Sequence, residues 1–373
     1  WHANFSLPVL IAESGRTTGF SYDAQGNLLS RTITDTAGSP NTVRTWQWTY
    51  NTQGLVATET APNGAATSYE YDTQGNLTKS TNALGHATLY AYDSANRLVS
   101  QTSPNGLNST YTWDARDRLL TRTIGAGTSG AQVTSLTYTP TGLLDTLSLP
   151  AGLILSYSYD AAHRLTGWSN NRGESGVYTL DGMGNRTAEQ IKSSTGAVAW
   201  SVARSINNIN RELSRTEGPN QTDSFLYDAN GERIRETNGL NQSTNFGLDN
   251  LRRIKIITNA ASVTASLSYN SLDAVTSASD FKGVTTSYGR DALGNATAES
   301  SSDVGARSTQ YDALGLPSRI VDAIGQATDI VRDALGRPTQ LSFANGKTTI
   351  LTYDTIQSGK GYLASFTDSS GTT

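Results

Sequence analysis

One seven-residue phrase, Tyr71-Asp72-Thr73-Gln74-Gly75-Asn76-Leu77, returns along nearly the whole of this 373-residue chain. It reappears as Tyr22-Asp23-Ala24-Gln25-Gly26-Asn27-Leu28, as Tyr92-Asp93-Ser94-Ala95-Asn96-Arg97-Leu98 and as Tyr159-Asp160-Ala161-Ala162-His163-Arg164-Leu165. With the tyrosine as phase marker the units start at 22, 50, 71, 92, 113, 138, 159, 180, 206, 227, 248, 269, 290, 311, 332 and 353. Twelve of the fifteen steps between these sixteen markers are 21 residues, and the others are 28, 25 and 26. Self-similarity at a fixed period outranks every other local signal, because each repeat is one structural unit that buries its surface only against its neighbours. The chain is a repeat array.

The residue after the marker is Asp or Asn in fifteen of the sixteen units, with Thr139 the exception. Four residues after the marker stands Gly in nine units, including Gly26, Gly75, Gly231 and Gly315, and Asn, Asp or His in five more. These are the residue types that accept a positive φ most readily. An Asx side chain that bonds the backbone two residues on, followed by a left-handed residue, is the chemistry of a tight hairpin turn. The expected turn residues thus include Tyr22, Asp23, Gly26, Tyr71, Asp72, Gly75, Tyr92, Asp93, Tyr159 and Asp160, and further on Tyr227, Asp228, Gly231, Tyr311, Asp312 and Gly315.

Two residues before the marker an apolar residue stands in most units, for example Phe20, Trp48, Tyr69, Tyr90 and Tyr111. That period of two predicts a strand with one aromatic and aliphatic face and one polar face. A second, Thr-rich strand such as Leu119-Leu120-Thr121-Arg122-Thr123 follows the turn and ends at another turn, marked by Pro62-Asn63-Gly64 or Pro104-Asn105-Gly106. The three lengthened steps all fall in this second turn, around Thr36 to Val43, Ile124 to Val133 and Lys192 to Val198. One turn has a constant length and the other tolerates insertion.

Two strands per unit give roughly 32 strands, and at about 4.8 Å per strand a flat sheet would be on the order of 150 Å wide. Wide sheets twist, curl or close. With no helix-forming segment to cover an apolar face, the expected fold is all-β: a continuous antiparallel strip that spirals into a hollow cocoon or tube. A lead-in over residues 1–19 precedes the array, which is expected to run from 20 to 373 as one continuous domain. Because it starts at Trp1 and has no apolar run near the ~20 residues that span a bilayer, the chain is expected to be a piece of something longer without a membrane span.

The net charge of −4 argues against a phosphate-binding surface, so nucleic acid is not an expected partner. There is no cysteine, hence no disulfide framework, thiol nucleophile or thiolate metal site. His163 stands in the left-handed turn slot, and His2 and His86 have no acid or metal partner at a suggestive spacing. The recurrent Asp residues open turns, and a group repeated in every unit is a structural element rather than a paired-carboxylate site. Neither a Gly-x-Ser-x-Gly elbow nor a calcium-loop pattern stands out. The chain is therefore read as a non-enzyme with no cofactor and no metal. Trp46 and Trp200, in or beside lengthened second turns, are the ligand candidates among the aromatics.

The Tyr-Asp-x-x-Gly-Asn/Arg-Leu phrase at 21-residue spacing, with its Asn-x-x-Gly or Pro-Asn-Gly second turn, resembles the YD repeats of RHS proteins over residues 20 to 354. The opening Trp1-His2-Ala3-Asn4-Phe5-Ser6-Leu7-Pro8, leading into Gly15-Arg16-Thr17-Thr18, resembles the interior of such shells. The family includes polymorphic toxins delivered by type VI secretion, Tc toxin cocoon components, wall-associated bacterial proteins and teneurins. The resemblance implies a structural shell that encloses and delivers a C-terminal toxin or effector, works with secretion apparatus components, and is secreted or held at the bacterial cell surface, with loading from the cytoplasm through a secretion system as one route. The family's self-cleaving DPxG segment is missing: Asp312-Ala313-Leu314-Gly315 and Asp333-Ala334-Leu335-Gly336 lack the proline. The alternative is a surface adhesion or carbohydrate-binding repeat array. With an open strand edge at each end of the array, residues 1–373 alone are expected to self-associate.

Overall fold

Each 21-residue unit becomes one hairpin plus the link to the next, and the hairpins follow one another in chain order. The computed structural model describes residues 1–38 and 42–372. Residues 39–41, within the lengthened turn expected around Thr36 to Val43, and Thr373, at the end of the expected array, lie outside the described residues. Among the described residues there are 34 strands, two single-turn 3-10 segments at Pro150–Gly152 and Gln357–Gly359, and no α-helix. The strands belong to one antiparallel sheet. Thirty-two of them, from Arg16–Tyr22 to Leu363–Asp368, are the two strands per unit read from the repeat, and Leu10–Glu13 and Gly371–Thr372 flank them.

Strand Ala66–Tyr71 and strand Leu77–Thr81 show the pattern. Ser68 faces Thr81, Tyr69 faces Ser80 and Glu70 faces Lys79, and then the register shifts so that Tyr71 faces Leu77. Thr78 is the extra residue of a β-bulge, which bends the strand and strengthens its twist. The same shift recurs one residue before the marker in other hairpins, including those of Tyr22, Tyr159, Tyr227 and Tyr311. On the other side of the strand no bulge intervenes: Lys79 faces Leu89, Ser80 faces Thr88 and Thr81 faces Ala87.

A cross-strand pair on the exposed face fills one slot beside several of the bulges. Ser21 meets Ser30, Thr49 meets Thr58, Thr112 meets Thr121 and Thr137 meets Thr146, with hydroxyl oxygens 2.6 to 2.7 Å apart. In the Tyr71 hairpin an ion pair takes that slot, Lys79 Nζ lying 2.8 Å from Glu70 Oε1. Such pairs contribute about 0.2 to 1 kcal/mol each. They matter because the interior is thin: among the described residues Val202 and Ala292 are the buried apolar side chains, and no large side chain is fully buried. Many half-buried contacts and a continuous hydrogen-bond ladder hold the sheet, in place of a dry core.

The chain divides into two compact units. The first joins Trp1–Asn108 with Leu267–Thr373, and the second is Ser109–Ser266.

Candidate functional site

The repeated chemistry is concentrated in the row of Asp-led turns. In the turn after Tyr71, Asp72 Oδ1 accepts from Gln74 N at 2.9 Å and Asn76 N at 2.8 Å. The backbone closes the same loop, Asp72 N donating to Asn76 O and Gly75 N to Asp72 O. Gly75 has φ +89°. Asp23, Asp93 and Asp160 accept the same two amides in their own turns. So do Asp228 and Asp312. Asn96 and His163 hold the left-handed slot at φ +61° and +64°, and Gly26, Gly231 and Gly315 hold it elsewhere. Arg252 takes it too, at φ +65°, although its side chain gives no local hint of this.

The last unit departs from the pattern. Asp354 itself is left-handed at φ +62°, and the loop runs on to Tyr362, with Gly361 N on Asp354 Oδ1 at 2.6 Å.

The second carboxylate oxygen is closed by the residue five past the marker, which explains the Asn/Arg of the repeat phrase. Asn27 and Asn76 donate their side-chain amides to Asp23 and Asp72 Oδ2. Arg97, Arg164 and Arg253 place Nε 2.7 to 2.8 Å from Oδ2 of Asp93, Asp160 and Asp249. These bonds favour the charged carboxylate and hold all five acids below the ordinary Asp range. Backbone and side-chain bonds from Arg118 take Asp114 down to about 2. Asp228, where Glu232 follows instead of Asn or Arg, is lowered mainly by the Glu232 amide.

The tyrosine has a role that periodicity alone does not reveal. Tyr50 hydroxyl donates to Leu28 O at 2.9 Å, Tyr71 to Val56 O at 2.9 Å and Tyr138 to Leu119 O at 2.8 Å. Tyr159, Tyr227 and Tyr311 reach Leu144, Glu212 and Ala296 in the same way. In these units the acceptor is the residue six past the marker of the preceding unit, where the bulge takes the backbone out of the regular ladder; Tyr22, with no unit before it, donates to Pro8 O. In two units arginine stands at the marker and does the same work: Arg290 Nε reaches Val275 O and Arg332 Nη2 reaches Pro317 O. A long donor at this position stitches its unit to the previous one, and the alternation of Tyr with Arg was the available signal; Leu180, Ile206 and Leu248 stand at the marker without a side-chain donor.

Within the first unit, second turns of the early strands lie on Asp-led turns of the late strands. Asp35, 3% exposed, accepts from Ala292 N through Oδ2 at 3.1 Å. The Arg44 guanidinium lies where a side chain at Gly315 would be, at 2.8 Å from an added Cβ. Asn63 Nδ2 donates to Ala334 O and Gln357 Nε2 to Pro104 O. His86 Nε2 stands 3.7 Å from Asp354 Oδ2, both largely buried, so the acid partner that spacing could not find for His86 is 268 residues away. Asp354 also pairs with Arg337 Nη2 at 2.6 Å, and that arginine draws its carboxyl down to about 2.

The remaining candidates fall as follows. His2 stacks at 4.9 Å on Phe5 in the lead-in. Trp46 lies in strand Val43–Tyr50 opposite Arg31, whose guanidinium covers the indole at 4.3 Å. Trp200, in strand Val198–Ile206, is 38% exposed and lines an open hollow of about 690 Å³ with Glu217, Pro219, Asn220, Asn238 and Leu240. Among the described residues no His, Cys, Asp and Glu cluster has the geometry to hold a metal, and no helix is long and apolar enough to cross a membrane.

The RHS Repeat family matches residues 10–40, 50–88 and 92–129. No curated protein matches. Among solved structures, the Photorhabdus luminescens Tc holotoxin pore, carrying a TccC3 variant, matches 94% of this chain with a TM-score of 0.69 at 13% identity. The crystal structures of TcdB2-TccC3-TEV and TcdB2-TccC3-Cdc42 match 95% and 91% of it, with TM-scores of 0.56 and 0.55 at 13% and 14% identity. The chain spans 22% to 23% of the length of these three. What is shared at such identity is the fold.

Proposed function

We propose that this chain, whose residues 10–40, 50–88 and 92–129 match the RHS Repeat family, is a stretch of shell wall whose strip coils round a hollow interior and encloses a C-terminal toxin or effector. The observation that carries this reading is the contact between turns 253 to 271 residues apart within the first unit. A flat strip has no such contacts. A strip that returns onto its own edge makes a wall. The fold shared with the TcdB2-TccC3 structures supports it, as does the engagement of the repeated carboxylates in turns. In this reading the array acts as one continuous object, the wall is not an enzyme, and the protein is secreted or presented at a bacterial surface with its cargo, through a secretion apparatus.

The test is the native polypeptide that carries this segment, purified without denaturation. A C-terminal piece that co-purifies, resists protease and is released only on unfolding is the expected result. A native chain ending near Thr373 with nothing held overturns enclosure.

One observation favours the second reading, a surface binding array: the exposed face of Trp200 beside Asn220 and Asn238 suits a sugar ring. Glycan binding lost in Trp200→Ala, with no cargo found, would move the assignment there.

A further inference from the structure

The outermost residue of each Asp-led turn, two past the Asx position, changes character along the chain. In the first seven units it is polar or small, as in Gln25, Gln53, Gln74 and Arg116. From the eighth unit on, every tip but Asn230 is Met, Ile or Leu. An apolar residue at the tip of a turn costs nothing locally, but a row of them is an interaction surface when uncovered.

In the first unit part of the row has its cover, while Leu335 and Ile356 are 37% and 64% exposed. Leu293 and Leu314 are half-buried, because second turns sit on their loops through Asp35 and Arg44. In the second unit the equivalent Met183, Ile209 and Leu251 are 62%, 59% and 67% exposed. The position and chemistry are the same, and the known occupant of this position is the second-turn edge of an RHS strip.

We propose that Met183, Ile209 and Leu251 form a docking edge for a second copy of this chain, which presents its own free second-turn edge. That edge is available: Phe281, Val304 and Ile324, in late second turns, are 42%, 57% and 81% exposed. The two surfaces differ, so the contact is heterologous and leaves an unused edge of each kind on the pair, and growth is open-ended unless the rotation closes a ring. The proposal does not depend on enclosure of a cargo.

Sedimentation of the 373-residue chain from low to high micromolar concentration tests it. The wild type is expected to gain mass steadily with concentration. Met183→Gln, Ile209→Gln and Leu251→Gln combined, using the residue that Gln25, Gln53 and Gln74 place in the same turn, is expected to weaken association roughly tenfold or more with unchanged circular dichroism. Ile324→Lys, after the Lys282 of the second turn two units earlier, weakens it from the other side. A wild type monomeric throughout overturns the proposal. So does association that survives both variants, which would place the contact on the strand edges at the ends of the array.

Discussion

The two rows of turns that border the strip share their basic geometry and differ in what is attached to it. Asn82 in a second turn accepts from Leu84 N and His86 N just as Asp72 accepts from Gln74 N and Asn76 N, and Gly85 is left-handed like Gly75. What the Asp-led turn adds is a bulge, a side chain that closes the second carboxylate oxygen, and a long donor reaching back to the preceding unit. Those three devices tie its length to the neighbours on both sides. The second turn carries none of these three devices, and the three lengthened steps of the array fall there. A repeat protein can thus keep one edge at constant pitch and use the other for variation.

The largest expected effect breaks this contrast directly. Two residues inserted between Thr73 and Gln74 remove the Asx bonds and displace the Tyr71 stitch, a loss of about 3 kcal/mol or more. The same insertion between Thr195 and Gly196 costs roughly 0.6 kcal/mol in loop closure. Urea unfolding of the two variants checks it; equal losses would end the distinction between the rows. Next in size, Tyr71→Phe leaves Val56 O without its donor and costs about 1 kcal/mol. Tyr71→Arg, after Arg290 and Arg332, recovers much of that, which a merely space-filling tyrosine would not predict.

Acid acts on the Asp-led row. Asp114 has a folded pKa of about 2, below its ordinary value of 3.8, so its carboxylate contributes stability above pH 4 that is lost as pH falls toward 2. Melting temperature should fall across that window, and Asp114→Asn, with the residue found at Asn51 and Asn207, should flatten the fall. Smallest is the exposed slot: Glu70→Thr with Lys79→Thr installs the pair that Thr49 and Thr58 make, and stability should move by less than about 0.5 kcal/mol.

Much of this architecture is readable in the chain itself, because what repeats is local. Period, turn type, strand number and the constancy of one turn all follow from residues within a single hairpin. The Tyr71 stitch to Val56 was harder to read, since its acceptor is a main-chain carbonyl with no residue signature. Arg252 in the left-handed slot and the remade loop at Asp354 break the local rule and are held by their surroundings. His86 with Asp354, Asp35 with Ala292 and Arg44 over Gly315 could not be read at all: they join residues more than 250 positions apart, and no periodicity of 21 says which distant turns will meet.

The stitch has a consequence for how such genes change. Its acceptor is backbone, so a unit's hydroxyl or guanidinium is indifferent to the side chain of the unit it follows. Unequal crossing-over that duplicates or deletes 21 codons leaves every donor facing a carbonyl, and shuffled units remain interchangeable parts. The exceptions are units bearing a private contact, such as the glycine under Arg44, which are bound to their address in the chain and should be the last to be exchanged.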